Sequence, residues 1–460
     1  MDEFDKIPEV VTKRLVMIGI RQIMRWKLYF TLGIVYLIIQ TNECHGQIRL
    51  NLQSAFELLE KQNPDMLQAN LNKLLSLQEY KDAKNAFVPQ VSFGASHNYN
   101  LGLAFDQIAG QLVTGNKWSN TANANISMRA TIFQGFSRLN NVRLAQLNLE
   151  SENLSYAVKK KALKLQLLAN YFEILANAEL YNASKRQSEL SAEQLVQIKT
   201  EYELGTKTLV DVSLTENQLN NDKLRLMDSK KNIEQKLLAM KELLYIPLND
   251  SVILEQPDRK TDVMDYQSIG RVDNNPEKQL SLLNIQKAEL QLKNKKYSYY
   301  PTLSFSSGYG TNYSSERRDL IHGGYMPFIN QVNQNRSLYF GVSLSLPILD
   351  GFRVKSEISK AHIYLEQSKN ELNKINMTQN SIFLNSIKEY EHSLKEYKVY
   401  QQQLASTKTS YEAMKNRYDL GLTTAMDLAK ALLDYNLAEL NLIRAKYLII
   451  YNQEVLKVLD

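Results

Sequence analysis

The residues with most chemistry in them are five histidines and one cysteine: His45, His97, His322, His362, His392 and Cys44. Imidazole and thiolate serve as metal ligands, nucleophiles and acid–base groups. Their spacing here supports none of these roles, because the histidines are scattered along the chain. Glu389 and His392 form one Glu-x-x-His pair on a helix face, the spacing used in di-iron bundles. Such a site needs a second pair and further inward glutamates. None is evident, so Glu389 and His392 read as surface residues. A single cysteine cannot form an internal disulfide and leaves no Cys-based zinc site or Cys–His nucleophile. There is no Walker loop, nucleophile elbow or HExxH. The sequence therefore predicts no enzyme, no metal and no cofactor.

The informative spacing belongs to Asn, Pro and Gly. Asn63-Pro64 is followed by Pro89 and the alternating Val91, Phe93, Ala95. Asn275-Pro276 is followed by Pro301 and the alternating Leu303, Phe305, Ser307. The offset is 212 residues at both ends (275 − 63 and 301 − 89). Gly135-Phe136 recurs as Gly351-Phe352, and Tyr202-Glu203-Leu204-Gly205 as Tyr418-Asp419-Leu420-Gly421, both at offset 216 (351 − 135 and 421 − 205). Asp427 echoes Asp211 at the same offset. A long-period echo of helix and strand signals predicts an internal duplication.

Composition narrows the class. The chain has 460 residues, 44% hydrophobic and 23% charged, with mean hydropathy −0.37. That is too polar for a bundle of membrane-spanning helices. Only 17 glycines and 9 prolines favour long uninterrupted helices. The net charge of +6 is spread over polar faces, with no basic stripe interleaved with aromatics, so no nucleic acid is expected as a partner. The apolar run Leu28–Ile39, preceded by Arg25 and Lys27, is shorter than the ~20 residues of a spanning helix and suits an export leader. Residues 1–46 are read as that leader, cleaved after Gly46, with 1–23 as a mis-assigned upstream start before Met24. Cys44 then leaves with the leader. A lipoprotein cysteine is disfavoured, because Thr41-Asn42-Glu43 lacks the expected apolar and small residues.

These signals sort into a unit used twice. An amphipathic helix at 50–61 precedes Asn63, a helix cap with Pro64 at the first helical position. The helix from there ends at Pro89. Period-2 alternation then predicts strands at about 89–100 and 121–133, with a loop over 101–119. Gly135-Phe136 ends the second strand. No Pro or Gly interrupts 137–204, and Gly205 separates this helix from one over 209–244. Residues 47–250 form the first repeat and 251–274 an irregular linker. Residues 275–460 form the second repeat, with strands at about 301–313 and 337–347 and a polar loop over 314–335. The strands are apolar on one face, small or polar on the other, and have aromatics at their ends, as outer-membrane strands do. Four such strands cannot close a barrel, and open edges in lipid are costly. Several copies must share one. The long helices have charged outer faces and must project away from the membrane as a tube.

In this order and double occurrence the chain resembles the TolC-type outer-membrane efflux proteins, from about Leu50 to Asp460. The resemblance implies an α+β membrane protein. Three protomers, each giving four strands, build a 12-stranded β-barrel continuous with a periplasmic α-helical coiled-coil barrel closed at its tip. It implies a homotrimer, a periplasmic adaptor protein, an inner-membrane transporter and outer-membrane lipid as partners. The chain becomes the exit duct of a tripartite efflux or secretion system. Pro89, Gly135, Pro301 and Gly351 become junctions between tube and barrel.

The resemblance also implies a periplasmic gate formed by Tyr202, Asp211, Tyr418, Thr423, Asp427 and Lys430. Thr423 stands where the family has a basic residue and Lys430 where it has a second aspartate. Asp427 is also what a helix N-terminus favours through its dipole, and both readings stand. Leu204, Gly205, Thr206, Leu420, Gly421 and Leu422 become the adaptor-contacting tip, where Gly also simply ends a helix. The alternatives are the outer-membrane component of a type I polypeptide secretion system and a structural periplasmic coiled-coil protein.

Overall fold

Asn63 shows how one residue starts the architecture. Its side-chain oxygen accepts from the backbone N–H groups of Asp65 and Met66, at 2.9 and 3.1 Å, and its amide donates to the Leu243 carbonyl at 2.7 Å. The cap thus ties a helix start to another helix end. Asn275 repeats the device, accepting from Glu277 N and donating to Gln379, both at 2.8 Å. Serine could cap but could not also donate this second bond with an amide. The structure is a computed structural model and describes residues 48–256, 275–319, 321 and 323–459. The expected leader with Cys44 and His45, His322, and most of the expected linker lie outside the described residues.

The strands are β1 (Ile48–Leu50), β2 (Gln90–Leu101), β3 (Ala104–Asp106), β4 (Gln111–Val113), β5 (Trp118–Gln134), β6 (Val252–Leu254), β7 (Thr302–Ser314) and β8 (Ser337–Ser345). The helices are α1 (Leu52–Gln62), α2 (Pro64–Asn85), α3 (Ser137–Glu203), α4 (Leu209–Leu244), α5 (Pro276–Tyr297), α6 (Phe328–Gln334), α7 (Arg353–Asp419) and α8 (Ala425–Leu459). Helices α2 and α5 both have 22 residues, and α3 and α7 both have 67. At 1.5 Å per residue the long pair reach about 100 Å.

Three expectations need correction. The segment 101–119 is not only loop: β3 and β4 form a small antiparallel hairpin. Its turn is held by Asp106, which accepts from the N–H groups of Ile108 and Ala109. The segment 314–335 contains α6, anchored by buried Gln331, which bonds both the N–H and the carbonyl of Ser314. The start of the expected linker is not irregular: it holds β6, paired in parallel with β1; Leu50 is therefore a strand residue, and α1 begins after the Asn51 cap.

The main sheet has strand order β2-β5-β7-β8, antiparallel throughout. Register aligns Phe93, Ile126, Tyr309 and Leu338 across one face, and Ser92, Ser127, Gly308 and Tyr339 across the other. On the polar face Ser92 and Ser127 hydroxyls bond at 2.9 Å. The Tyr339 ring occupies the space where any side chain on Gly308 would stand. The apolar face is exposed: Phe93, Leu338, Phe340, Val342 and Leu344 all stand open. Strands β2 and β8 are the two edges.

The strand-to-helix junctions use paired left-handed residues. Gly135 (φ 55°) precedes Phe136 (φ 64°), and Gly351 (φ 65°) precedes Phe352 (φ 62°). A phenylalanine there carries a steric cost of roughly 1–2 kcal/mol.

The main core lies midway along α3 and in the C-terminal parts of α4 and α8. It joins α1, α3, α4, α8 and the β1–β6 pair around Leu167, Tyr171, Phe172, Leu244 and Ile450. The Tyr171 hydroxyl donates to the Glu255 carbonyl at 2.6 Å. Burial first, and the Glu255 charge second, push its pKa up to about 12.

Candidate functional site

The far ends of the long helices form two tight tips. In each, a left-handed glycine follows the last helical turn: Gly205 at φ 77° and Gly421 at φ 73°. At the first tip Thr206 N donates to Glu201 O and Gly205 N to Tyr202 O, both at 2.9 Å. At the second, Leu422 N donates to Arg417 O at 2.8 Å and Gly421 N to Tyr418 O at 2.9 Å. This double closure satisfies carbonyls that a helix end leaves free, and it requires φ > 0 at the glycine.

The next helices start with matching caps. Thr208 N and Oγ1 both donate to Asp211 Oδ2 at 2.8 Å, and Asp211 N donates back to Thr208 Oγ1. Thr424 Oγ1 donates to Asp427 Oδ2 at 2.6 Å, Thr423 Oγ1 at 3.1 Å, and Asp427 N returns to Thr424 Oγ1. The Thr424 hydroxyl, then the Thr423 hydroxyl and the Thr424 amide, hold the Asp427 carboxyl below its usual pKa. The expected gate aspartates are thus both capping-box residues of their own helices.

Tyr418 and Lys207 meet across the two hairpins, with the ammonium 3.7 Å from the ring centroid. Tyr418 also packs against the cluster of Leu195, Ile198, Val212 and Leu219. Tyr202 is exposed, and Lys430 lies on the surface one turn from Asp427. The tip itself is apolar: Leu204, Leu209, Val210, Leu420, Leu422 and Met426 all stand exposed. A cleft of about 720 Å³ opens between the hairpins beside Tyr418, Lys207 and Gly421.

Thr208, Thr424 and Lys207 were not singled out from sequence. The Thr-x-x-Asp spacing of 208–211 and 424–427 is a capping-box signal that could have found the threonines. Lys207 has no comparable sequence signal, because its partner Tyr418 is remote in the chain. At the other end of the helices, Pro89, Gly135, Pro301 and Gly351 all sit where a helix meets a sheet strand. Among the described residues no cluster of three or more His, Cys, Asp or Glu side chains could hold a metal. The His392 ring lies exposed 3.5 Å from Glu396. No described helix is long and apolar enough to cross a membrane.

The family described as outer membrane efflux protein matches residues 55–244 and again 272–459. The chain belongs to that family. Its relatives include the outer membrane protein TolC of Escherichia coli (strain K12), 22% identical over 411 residues that cover 88% of this chain and 80% of TolC. The solved outer membrane protein VceC of Vibrio cholerae superposes with a TM-score of 0.75 at 13% identity, covering 89% of this chain and 95% of VceC. The Campylobacter jejuni CmeC outer membrane channel superposes with a TM-score of 0.73 at 17% identity, covering 89% and 85%.

This efflux-family member is therefore an outer-membrane transport protein, not an enzyme, with its helical region in the periplasm. That assignment fits the sheet. Its exposed face of Phe93, Phe340, Val342 and Leu344 is suited to lipid, and its Ser/Asn/Gly face to water.

Proposed function

We propose that three copies close one 12-stranded barrel and one helical tube, and that this homotrimer is a passive exit duct. The observation that carries the reading is the four-stranded sheet with an apolar face and two free edges. In lipid each unpaired backbone group on an edge costs several kcal/mol. Strands alternate in direction across the sheet, so β8 of one copy runs antiparallel to β2 of the next. A head-to-tail contact of that kind closes into a ring.

Asymmetry between the two halves supports the same closure. Helix α5 packs along both α3 and α7, while α2 packs along α3. The free flank of α2 exposes Leu67, Leu71, Leu74 and Leu75. An internal duplication, favoured by the twofold family match, makes the α7 of a neighbouring copy the counterpart for that flank.

The tip reading follows. Substrates enter from an inner-membrane pump through a periplasmic adaptor that seats on the exposed leucines around Gly205 and Gly421. Tyr418, Asp427, Thr423 and Lys430, with Tyr202 and Asp211 on the other hairpin, line the closed end. Heat-modifiable migration of a trimer extracted from outer membrane, together with conductance in a planar bilayer, tests the duct. A soluble periplasmic monomer overturns it.

A further inference from the structure

Between the apolar cluster at the tip and the main core, the seam joining α3, α4 and α8 turns polar. Ser184, Ser188 and Ser191 of α3, Asp222 of α4 and Asn436 of α8 are all buried there. Asp222 is 1% exposed and Asn436 4%. Asp222 Oδ2 accepts from Ser191 Oγ at 2.7 Å and from Gln218 Nε2 at 2.9 Å. Its Oδ1 has only the Arg225 guanidinium nearby, at 3.7 Å, too far for a hydrogen bond. Neither Oδ1 nor Nδ2 of Asn436 bonds to a protein group.

Both residues line one small cavity, with Ser184, Gln187, Arg225 and Glu439 around it. The space open to a water centre is about 10 Å³, the size that holds one molecule. Buried polar atoms left without partners are rare, and three on one cavity wall set a definite donor and acceptor demand.

We propose that this cavity is a binding site for one water molecule that bridges the Asp222 carboxylate to Asn436. The water donates to Asp222 Oδ1, and its remaining capacity is taken by the Asn436 amide. The serines of α3 are small enough to leave the room. The bridge joins the α3–α4 hairpin to α8 through a polar layer set between two apolar ones. A lone polar layer in a helix seam fixes register, because sliding by one turn buries the same groups unpaired. On the channel reading given above, this layer sets the register of the helix that carries Asp427, nine residues nearer the tip (436 − 427) and about 14 Å along α8.

A structure of the full-length protein at a resolution that shows ordered water tests the site. The expected result is a peak within hydrogen-bond distance of both Asp222 Oδ1 and the Asn436 amide. An empty cavity, or the two side chains bonded directly, overturns the proposal. Thermal unfolding of Asp222→Ala, Asn436→Ala and the double variant is the second measurement. The bridge predicts that the double variant loses no more Tm than the worse single variant, since each breaks the same bridge. Losses that simply add overturn it. Neither readout depends on conduction, so failure of the duct reading leaves this test intact.

Discussion

Gly135 and Tyr300 share one space: a Cβ on Gly135 would stand 2.8 Å from Tyr300 Cβ and 2.5 Å from the Tyr297 carbonyl oxygen. Phe136 then packs edge-on against Tyr300, with ring centroids 6.3 Å apart. The end of β5 is thereby seated on the junction between α5 and β7. Gly351, the matching glycine of the second half, has nothing within 4 Å of its Cβ position, and Phe352 stands 72% exposed. The 212-residue offset of this part of the repeat maps Tyr297 and Tyr300 onto Asn85 and Val88. In the trimer we propose, Asn85 and Val88 of the next copy fill the space beside Gly351.

Two alanine substitutions separate these environments. Both Gly135→Ala and Gly351→Ala carry the left-handed strain of roughly 1–2 kcal/mol. Gly135→Ala also collides within its own chain, so it is expected to lower the yield of folded protomer. Gly351→Ala is expected to leave helix content by circular dichroism intact and to reduce trimer on native gels. Equal loss of folded protomer in both variants contradicts the proposed contact.

Asp427 supports the α8 start only while ionised. Hydrogen bonds from Thr424 and Thr423 depress its pKa in the folded chain. The stabilisation is therefore full above the ordinary carboxylate range and lost as pH falls through the depressed value. Asp427→Ala is expected to raise resting conductance in a planar bilayer several-fold at neutral pH. Wild type is expected to approach that level only on strong acidification. A mutant with wild-type conductance removes Asp427 from the gate and leaves it a cap.

Asn63→Ala removes the acceptor for two helix N–H groups and a donor to Leu243 O. A lost cap costs about 1 kcal/mol, and a stranded buried carbonyl about 1–3 kcal/mol more. The Tm is expected to drop by several degrees. Asn63→Ser, which keeps the acceptor, is expected to recover part of the loss. Full recovery contradicts a role for the Leu243 bond.

Tyr171→Phe removes the hydroxyl that donates to Glu255 O. The part-buried carbonyl then loses this donor, at a cost of about 0.5–1.5 kcal/mol. Thermal unfolding is expected at lower temperature, with the secondary structure unchanged. An unchanged Tm shows that Glu255 O finds another donor.

Much of this was legible because local signals and packing agree. Asn63-Pro64 and Asn275-Pro276 start helices, Gly205 and Gly421 end them, and period-2 alternation marks the four sheet strands within a few residues. What was missed depends on remote partners. Strand β1 has only three residues and exists through β6, some 200 residues away (252 − 48 = 204). Helix α6 is held by Gln331 reaching Ser314, which no periodicity reveals. Asp222 and Asn436 look like ordinary surface residues of polar helices until three helices converge on them. The tip aspartates were legible as acidic positions, while their capping partners Thr208 and Thr424 went unread although the spacing was present.

The central claim is that β8 and its junction meet β2 and its junction on the next copy. Cysteines at Val88 and Phe352 in one chain test it most directly, with Phe136→Cys/Tyr300→Cys as the equivalent contact inside a chain. Under mild oxidation, non-reducing gels are expected to show Val88→Cys/Phe352→Cys as a ladder that stops at three copies, while the control pair closes within the monomer. A Val88→Cys/Phe352→Cys protein that stays monomeric on the gel, although native mass shows three copies, contradicts this closure.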